Sequence, residues 1–180
     1  MKNNAGEDKR NLSLKKEGLL NEKSWIHQEP ALTSKDLEQR QRLFIEKDNA
    51  LKASPNLSVS KTRLQIRNLP KREFYEAELR ELCVAVIDSY KESEDKTIAK
   101  LPKLKTLIKQ VKVLRDGEKT ELDDKKQLVK LSSGLAFCEF SEPELALYAV
   151  RYLNNMQLNG ARGLVVDFSI EDARKLHARD

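Results

Sequence analysis

The chain has 180 residues, 39% apolar and 35% charged, which suits one modest core with long solvated segments rather than two full domains. Lys and Arg (34) exceed Asp and Glu (29), a net charge of +5 that permits a nucleic-acid partner without requiring one. No run of about 18 apolar residues is present, which excludes a transmembrane helix. The N-terminus lacks the apolar stretch of a signal peptide. Cys83 and Cys138 lie far apart in apolar contexts and are expected to be buried thiols. With no CxxC, and with His27 and His177 near opposite ends, no metal site is expected.

Residues 1–32 are polar and aperiodic, which predicts an extended or disordered arm. Leu12, Leu14, Leu19, Leu20, Trp25 and Ile26 punctuate it and suit a strap that docks on the domain or on a partner. Residues 34–52 read as a helix capped by Thr33 or Ser34, with Leu37, Phe44 and Leu51 as a thin apolar stripe. Alternation over Thr62 to Leu69 predicts a strand with Leu64 and Ile66 on one face and Gln65 and Arg67 on the other. A helix over 75–92 follows from the spacing of Leu79, Leu82, Cys83, Val86 and Ile87. Residues 94–105 read as a Lys-rich link, 107–114 as a second strand, 116–132 as a charged loop and Leu135–Phe140 as a third strand. Ser141-Glu-Pro-Glu144 reads as a capping box opening a helix whose face is Leu145, Ala149, Tyr152, Leu153 and Met156. Gly160-Ala-Arg-Gly163 reads as a turn, Leu164–Phe168 as the fourth strand, and 171–178 as a terminal helical turn or two. The order is β-α-β-β-α-β, an α+β sandwich of a four-stranded antiparallel sheet packed on two helices.

Leu64-Gln-Ile-Arg-Asn-Leu69 and Ser133-Gly-Leu-Ala-Phe-Cys-Glu-Phe140 resemble the RNP2 and RNP1 motifs of the RNA recognition motif (RRM) family. Asp8-Lys-Arg-Asn-Leu-Ser-Leu14 with Glu17-Gly18, Ser60-Lys-Thr-Arg-Leu64, Arg67-Asn-Leu-Pro70 and Phe168-Ser-Ile-Glu-Asp172 with Arg174-Lys-Leu176 narrow the likeness. They resemble the last-RRM region of nucleolar multi-RRM proteins of large-subunit ribosome biogenesis. The resemblance implies three parts: an arm and charged helix over 1–59, an RRM over 60–170, and a tail over 171–180. It also implies a fragment of a longer nucleolar protein, with pre-ribosomal RNA and other ribosome assembly factors as partners.

Aromatics at three sheet positions stack bases in this family. Here those positions hold Gln65, Leu135 and Phe137, so one stacker remains, and Ser133 replaces a basic residue. Each base stacked contributes about 1–3 kcal/mol, so grip on a free single strand is expected to be weak. Charge is the counterweight. Residues 61–72 and 96–115 are basic and free of acids, whereas the helix over 75–92 is acidic. Phosphate contacts from such runs give affinity without reading sequence. The candidate RNA-binding residues are Lys61, Arg63, Gln65, Arg67, Lys103, Lys105, Lys112, Arg115, Leu135 and Phe137. No paired carboxylates, Ser-His pairing or phosphate-cradling glycine loop appears. The expected activity is therefore binding, with no catalysis, cofactor, membrane or small-molecule substrate. Two readings stand: a module holding folded pre-rRNA by its phosphates, or a degenerate RRM that docks another protein, which Leu135 on the open sheet face suits.

Overall fold

The computed structural model describes residues 8–94, 96–98, 100–159 and 162–176. Expectations for residues 1–7, for Gly160 and Ala161 of the turn and for 177–180 lie outside them. Helix α1 spans Ser34–Ala53, and Thr33 is its cap: the Thr33 hydroxyl accepts from the Asp36 N–H at 3.2 Å while the Asp36 carboxylate accepts from the Thr33 N–H at 2.9 Å. Strand β1 (Leu57–Arg67) begins three residues before the expected boundary at 60. It leads to α2 (Glu76–Glu92), a short α3 (Leu104–Leu107), β2 (Ile108–Leu122) and β3 (Leu128–Phe140). Helix α4 (Pro143–Leu153), β4 (Val165–Asp172) and a single-turn α5 (Ala173–Leu176) complete the chain.

The four strands form one antiparallel sheet in the order β2-β3-β1-β4. Helices α2 and α4 cover one face. Their Leu79, Cys83, Val86, Leu145, Ala149 and Leu153 meet Leu64, Ile66, Ala136, Cys138, Phe140 and Phe168 of the sheet, all at most 1% exposed. Both cysteines are free thiols in this core. A hydrogen bond with Cys83, together with burial, pushes the Cys138 thiol well above its ordinary range.

Three expectations are corrected. The segment 116–132 is not a loop: β2 and β3 continue as a hairpin, with Leu122 opposite Leu128 and a turn in which Asp123 accepts from the N–H groups of Lys125 and Gln127. Most of its side chains on both faces are solvated, so no alternation marks it. Ser141 does not cap α4. Glu142 is the N-cap, without a side-chain bond, and Pro143 follows it, so Ser141 lies one residue outside the cap, its buried hydroxyl without a partner among the described residues. In α1 the inward face matches the Leu37–Phe44–Leu51 stripe only at Leu51. Leu37 is 44% exposed, and the buried residues are Arg40, Lys47 and Leu51.

The arm lies against the domain itself. Arg10 donates to the carbonyls of Leu57 (2.8 Å) and Ser54 (2.9 Å), and its own carbonyl accepts from Val59 N–H at a bulge of β1. Gly18, at φ +81°, passes so close to β4 that a Cβ there would lie 1.8 Å from the Val166 carbonyl oxygen, so only glycine fits. Further on, Ile26 N–H donates to the Arg151 carbonyl of α4, and Trp25 is 5% exposed. The β4 edge is taken by the residues after α4: the Asn154 side chain bonds both the N–H and the carbonyl of Val166, and the Leu164 carbonyl accepts from Asn155 N–H, which discourages strand pairing there.

Candidate nucleic-acid interface

The sheet face away from α2 and α4 is ordered by strand register. Lys112 of β2 stands opposite Phe137 of β3, Phe137 opposite Gln65 of β1, and Gln65 opposite Asp167 of β4. Cross-strand partners share a face, so these four side chains form one rung across it. On the neighbouring rung Arg63 stands opposite Glu139, and its guanidinium lies 4.7 Å from the Phe137 ring centroid. The single stacking aromatic therefore carries a cation on its ring.

Helix α1 closes the β1/β4 half of this face. Its Lys47 ammonium donates to Asp167 at 2.7 Å and to the Phe168 carbonyl, and Arg67 reaches the other Asp167 oxygen at 3.3 Å. The Lys47 and Asp167 side chains are 5% and 6% exposed, so solvent does not screen the pair. At the far end Gln39 and Asn68 exchange bonds at 3.2 and 3.3 Å. Arg40 donates to the Leu164 carbonyl at 3.1 Å while lying 4.9 Å from the Trp25 ring centroid, which ties arm, helix and β4 together. Burial pulls the Arg40 pKa down. Between helix and sheet remains a cleft of about 300 Å3, bordered by Leu43, Glu46, Gln65, Phe137 and Ser169. The Ser169 hydroxyl is buried without a partner among the described residues.

The candidate residues divide by location. Lys112 is exposed and Leu135 and Phe137 half-buried on the β2/β3 half, which no described segment covers. Arg63 and Gln65 border it. Arg67 lies under α1, committed to Asp167. Lys103 and Lys105 are exposed at the entry to β2. Lys61 faces the helical side, in a cleft with Asp8, Ser13, Pro143 and Glu144. Arg115 is engaged within the fold: it donates to the Phe74 carbonyl at 2.8 Å, pairs with Glu76 at 3.0 Å and lies over the Tyr75 ring. The fold thus gathers Arg63, Lys112, Leu135 and Phe137, and separates Lys61 and Arg115 from them. Sequence reasoning missed Lys47 and Asp167. The one usable signal was an acid in Val165-Val-Asp-Phe168, which needs a cation partner once buried.

Strand order, connectivity and the RNP-like strands side by side are those of the RNA recognition motif fold, with an N-terminal strap and helix outside the β-α-β-β-α-β unit. The chain is similar to human RNA-binding protein 28, with 33% identity over 173 residues, which is 95% of this chain and 20% of that protein. The chain therefore spans about a fifth of the curated relative it matches. No family model matches. Among solved structures, the Rna15 RRM with bound RNA (GU) is 20% identical, covering 67% of this chain and 99% of that one, with a TM-score of 0.41. The Sex-lethal RNA recognition domains 1 and 2 from Drosophila melanogaster are 20% identical, covering 60% of this chain and 49% of that one, with a TM-score of 0.40.

Proposed function

We propose that this chain is a non-catalytic RNA-binding module of a nucleolar factor in large ribosomal subunit assembly and pre-rRNA processing, holding folded pre-rRNA mainly by its phosphates. The observation that carries the reading is the division of the sheet face. Helix α1 occupies the β1/β4 half, so a single strand cannot be laid across all four strands. The open half offers Lys112 beside Phe137 and Leu135, with Arg63 at its border and Lys103 and Lys105 near the β2 entry. One aromatic stacks one base, whereas exposed cations contact phosphates of any folded RNA. Likeness to a protein named RNA-binding protein 28 along 95% of the chain supports the same reading.

The test is titration of the intact chain with a 12-nucleotide single strand and with a folded hairpin over a salt series. Weak single-strand binding is expected. The slope of log affinity on log salt should steepen by about 0.7 per phosphate neutralised on single strands, and Lys112→Glu should reduce both affinity and slope. Tight, salt-insensitive binding to one short strand would overturn the phosphate reading. In cells, Lys103→Glu with Lys105→Glu is expected to release the protein from large-subunit precursors more than Lys125→Glu with Lys126→Glu.

A further inference from the structure

Phe137 stands between two hollows of the open sheet face. The first is the cleft of about 300 Å3 between α1 and the sheet. The second, about 320 Å3, runs from Phe137 to Arg63, Lys175 and Leu176. Phe137, Ser169 and Ile170 border both, whereas Arg63 borders only the second. The Phe137 ring thus carries the guanidinium on one side, 4.7 Å from its centroid, and borders the cleft under α1 on the other. Leu43, Glu46, Lys47 and Ala50 form that cleft's helical wall, spaced three and four residues apart on one flank of α1. This wall lies outside the β-α-β-β-α-β unit, so the cleft belongs to the N-terminal helix and not to the sheet alone.

The charges lining this cleft disfavour a phosphate inside it. Lys47 and Arg67 are both committed to Asp167, and the fourth charge is the exposed carboxylate of Glu46, which has no ion pair among the described residues. No free cation therefore faces the cleft. What stands ready there is neutral: the Phe137 ring, and the half-buried Gln65 carboxamide, which has no hydrogen-bond partner among the described residues. A flat ring beside an unpaired donor and acceptor suits a flat, neutral ligand with hydrogen-bonding edges. Free cations stand just outside. Arg63 lies over the ring, and Lys112 is exposed on the same rung, two strands from Gln65 at about 4.8 Å each. An open sheet of this family stacks two or three bases, but with α1 over the β1/β4 half one aromatic and one cleft remain.

On the reading that this face holds folded RNA by its phosphates, we infer that the cleft between α1 and Phe137 takes one nucleobase, turned out of the RNA at a single-nucleotide bulge. The base enters on the side of Phe137 away from Arg63 and meets the Gln65 carboxamide. Glu46 keeps the backbone out, and the flanking phosphates fall to Arg63 and Lys112. Neighbouring nucleotides find no place on the covered half of the sheet, so they stay paired in their own helix. A bulged base is already unpaired, so turning it out costs less than extracting a paired one.

Anisotropy titration of the intact chain with two RNA hairpins, identical but for one bulged nucleotide in the stem, tests this. The bulged hairpin should bind at least about fivefold more tightly at fixed salt, the lower end of what one stacked base contributes. An abasic nucleotide in the bulge should lose that gain, and both hairpins should share one salt slope, since they contact the same phosphates. Phe137→Ala, and Ala50→Phe, which fills the cleft from the α1 wall, should each bring the bulged hairpin to the level of the unbulged one. Gln65→Ala should cut the preference about threefold, whereas Lys112→Glu should weaken both hairpins alike and keep their ratio. Should Ala50→Phe unseat α1, the abasic bulge and Gln65→Ala decide the matter. Equal affinity of the parent for both hairpins, with the salt slope intact, would overturn the inference and leave the phosphate reading standing. A preference that survives the abasic bulge or Ala50→Phe would also overturn it, by putting the effect in the bend of the RNA helix. Binding of neither hairpin would overturn both readings and leave the cleft to a protein side chain.

Discussion

Lys47→Met isolates what holds α1 on the sheet. The substitution keeps most of the stem and removes the ammonium from a pair 2.7 Å apart whose side chains are 5% and 6% exposed. Asp167 then retains only Arg67, at 3.3 Å and with 26% of its side chain in solvent. Removing one partner of a buried ion pair costs about 3–5 kcal/mol, because the other charge stays buried. The residual Arg67 contact sets the expected loss at the lower end, about 3 kcal/mol, or about 150-fold in the docking equilibrium. Arg40 couples α1 to Trp25, so the loss should appear as joint opening of the arm and α1, with the β1–β3 ladder intact. Hydrogen exchange on the intact chain reads this directly. Protection in 34–53 and around Trp25 should fall by about two orders of magnitude, while β1 and β3 amides keep theirs. Lys47→Met with Asp167→Leu should recover much of the loss, since no carboxylate remains buried and Arg67 reaches water. If Lys47→Met alone leaves α1 protection unchanged and stability within about 0.5 kcal/mol of the parent, the pair does not hold the helix.

Phe140→Ala should cost about 3–5 kcal/mol in a urea melt, since Phe140 is fully buried. Phe137→Ala, which removes a half-exposed ring and its Arg63 contact, should cost no more than about 1 kcal/mol while reducing RNA affinity; the reverse order would place β3 one residue out of register. Gly18→Ala should destabilise by more than about 1 kcal/mol, because its Cβ would meet the Val166 carbonyl at 1.8 Å, and a thermal melt equal to the parent's would refute the arm's path along β4. Hydrogen bonds from the Arg174 side chain, aided by its N–H, hold the Asp172 carboxyl down at about 2. A depressed folded-state pKa contributes stability above the unfolded value of about 3.9, lost as pH falls from there through the folded value. Carbon-13 titration of Asp172 should therefore show a midpoint near 2, and one near 4 would mean the turn over 173–176 is not formed.

The alternation of Leu64 and Ile66 with Gln65 and Arg67 places β1 and its two faces from sequence, because one face is apolar and the other polar. The spacing of Leu79, Cys83, Val86 and Ile87 places α2 for the same reason. The distal hairpin escapes this logic. Between Asp116 and Lys130 both faces of the ladder are largely solvated, so the strands are held by backbone bonds and by Glu121, which accepts from the Tyr75 hydroxyl at 2.8 Å. Desolvation, reinforced by that carboxylate, pushes the Tyr75 pKa up to about 12. Helix α1 misleads differently. Its extent and cap are legible, but its inward face is not, because an apolar stripe identifies the buried side only when the receiving surface is apolar.

That receiving surface explains the arrangement. The β1/β4 half presents Gln65, Arg67, Asp167 and Ser169, which offer little apolar area to bury. Apart from Leu51, which is buried in the core at the helix's C-terminal end, α1 is fixed there by charge and hydrogen bonds, and Asp167 supplies the charge. With α1 over that half, and Arg40, Lys47, Asn154 and Asn155 bonded to the β4 edge, the sheet's remaining free border is β2. Its Val113 N–H is capped by Glu76 at 3.1 Å, and Lys109 and Lys112 project into solvent beside it. A capped N–H and flanking lysines discourage pairing with another strand, while the same lysines attract phosphate. Helix α1, which narrows the stacking surface, thus leaves the cationic β2 border as the face that the proposed function would offer to RNA.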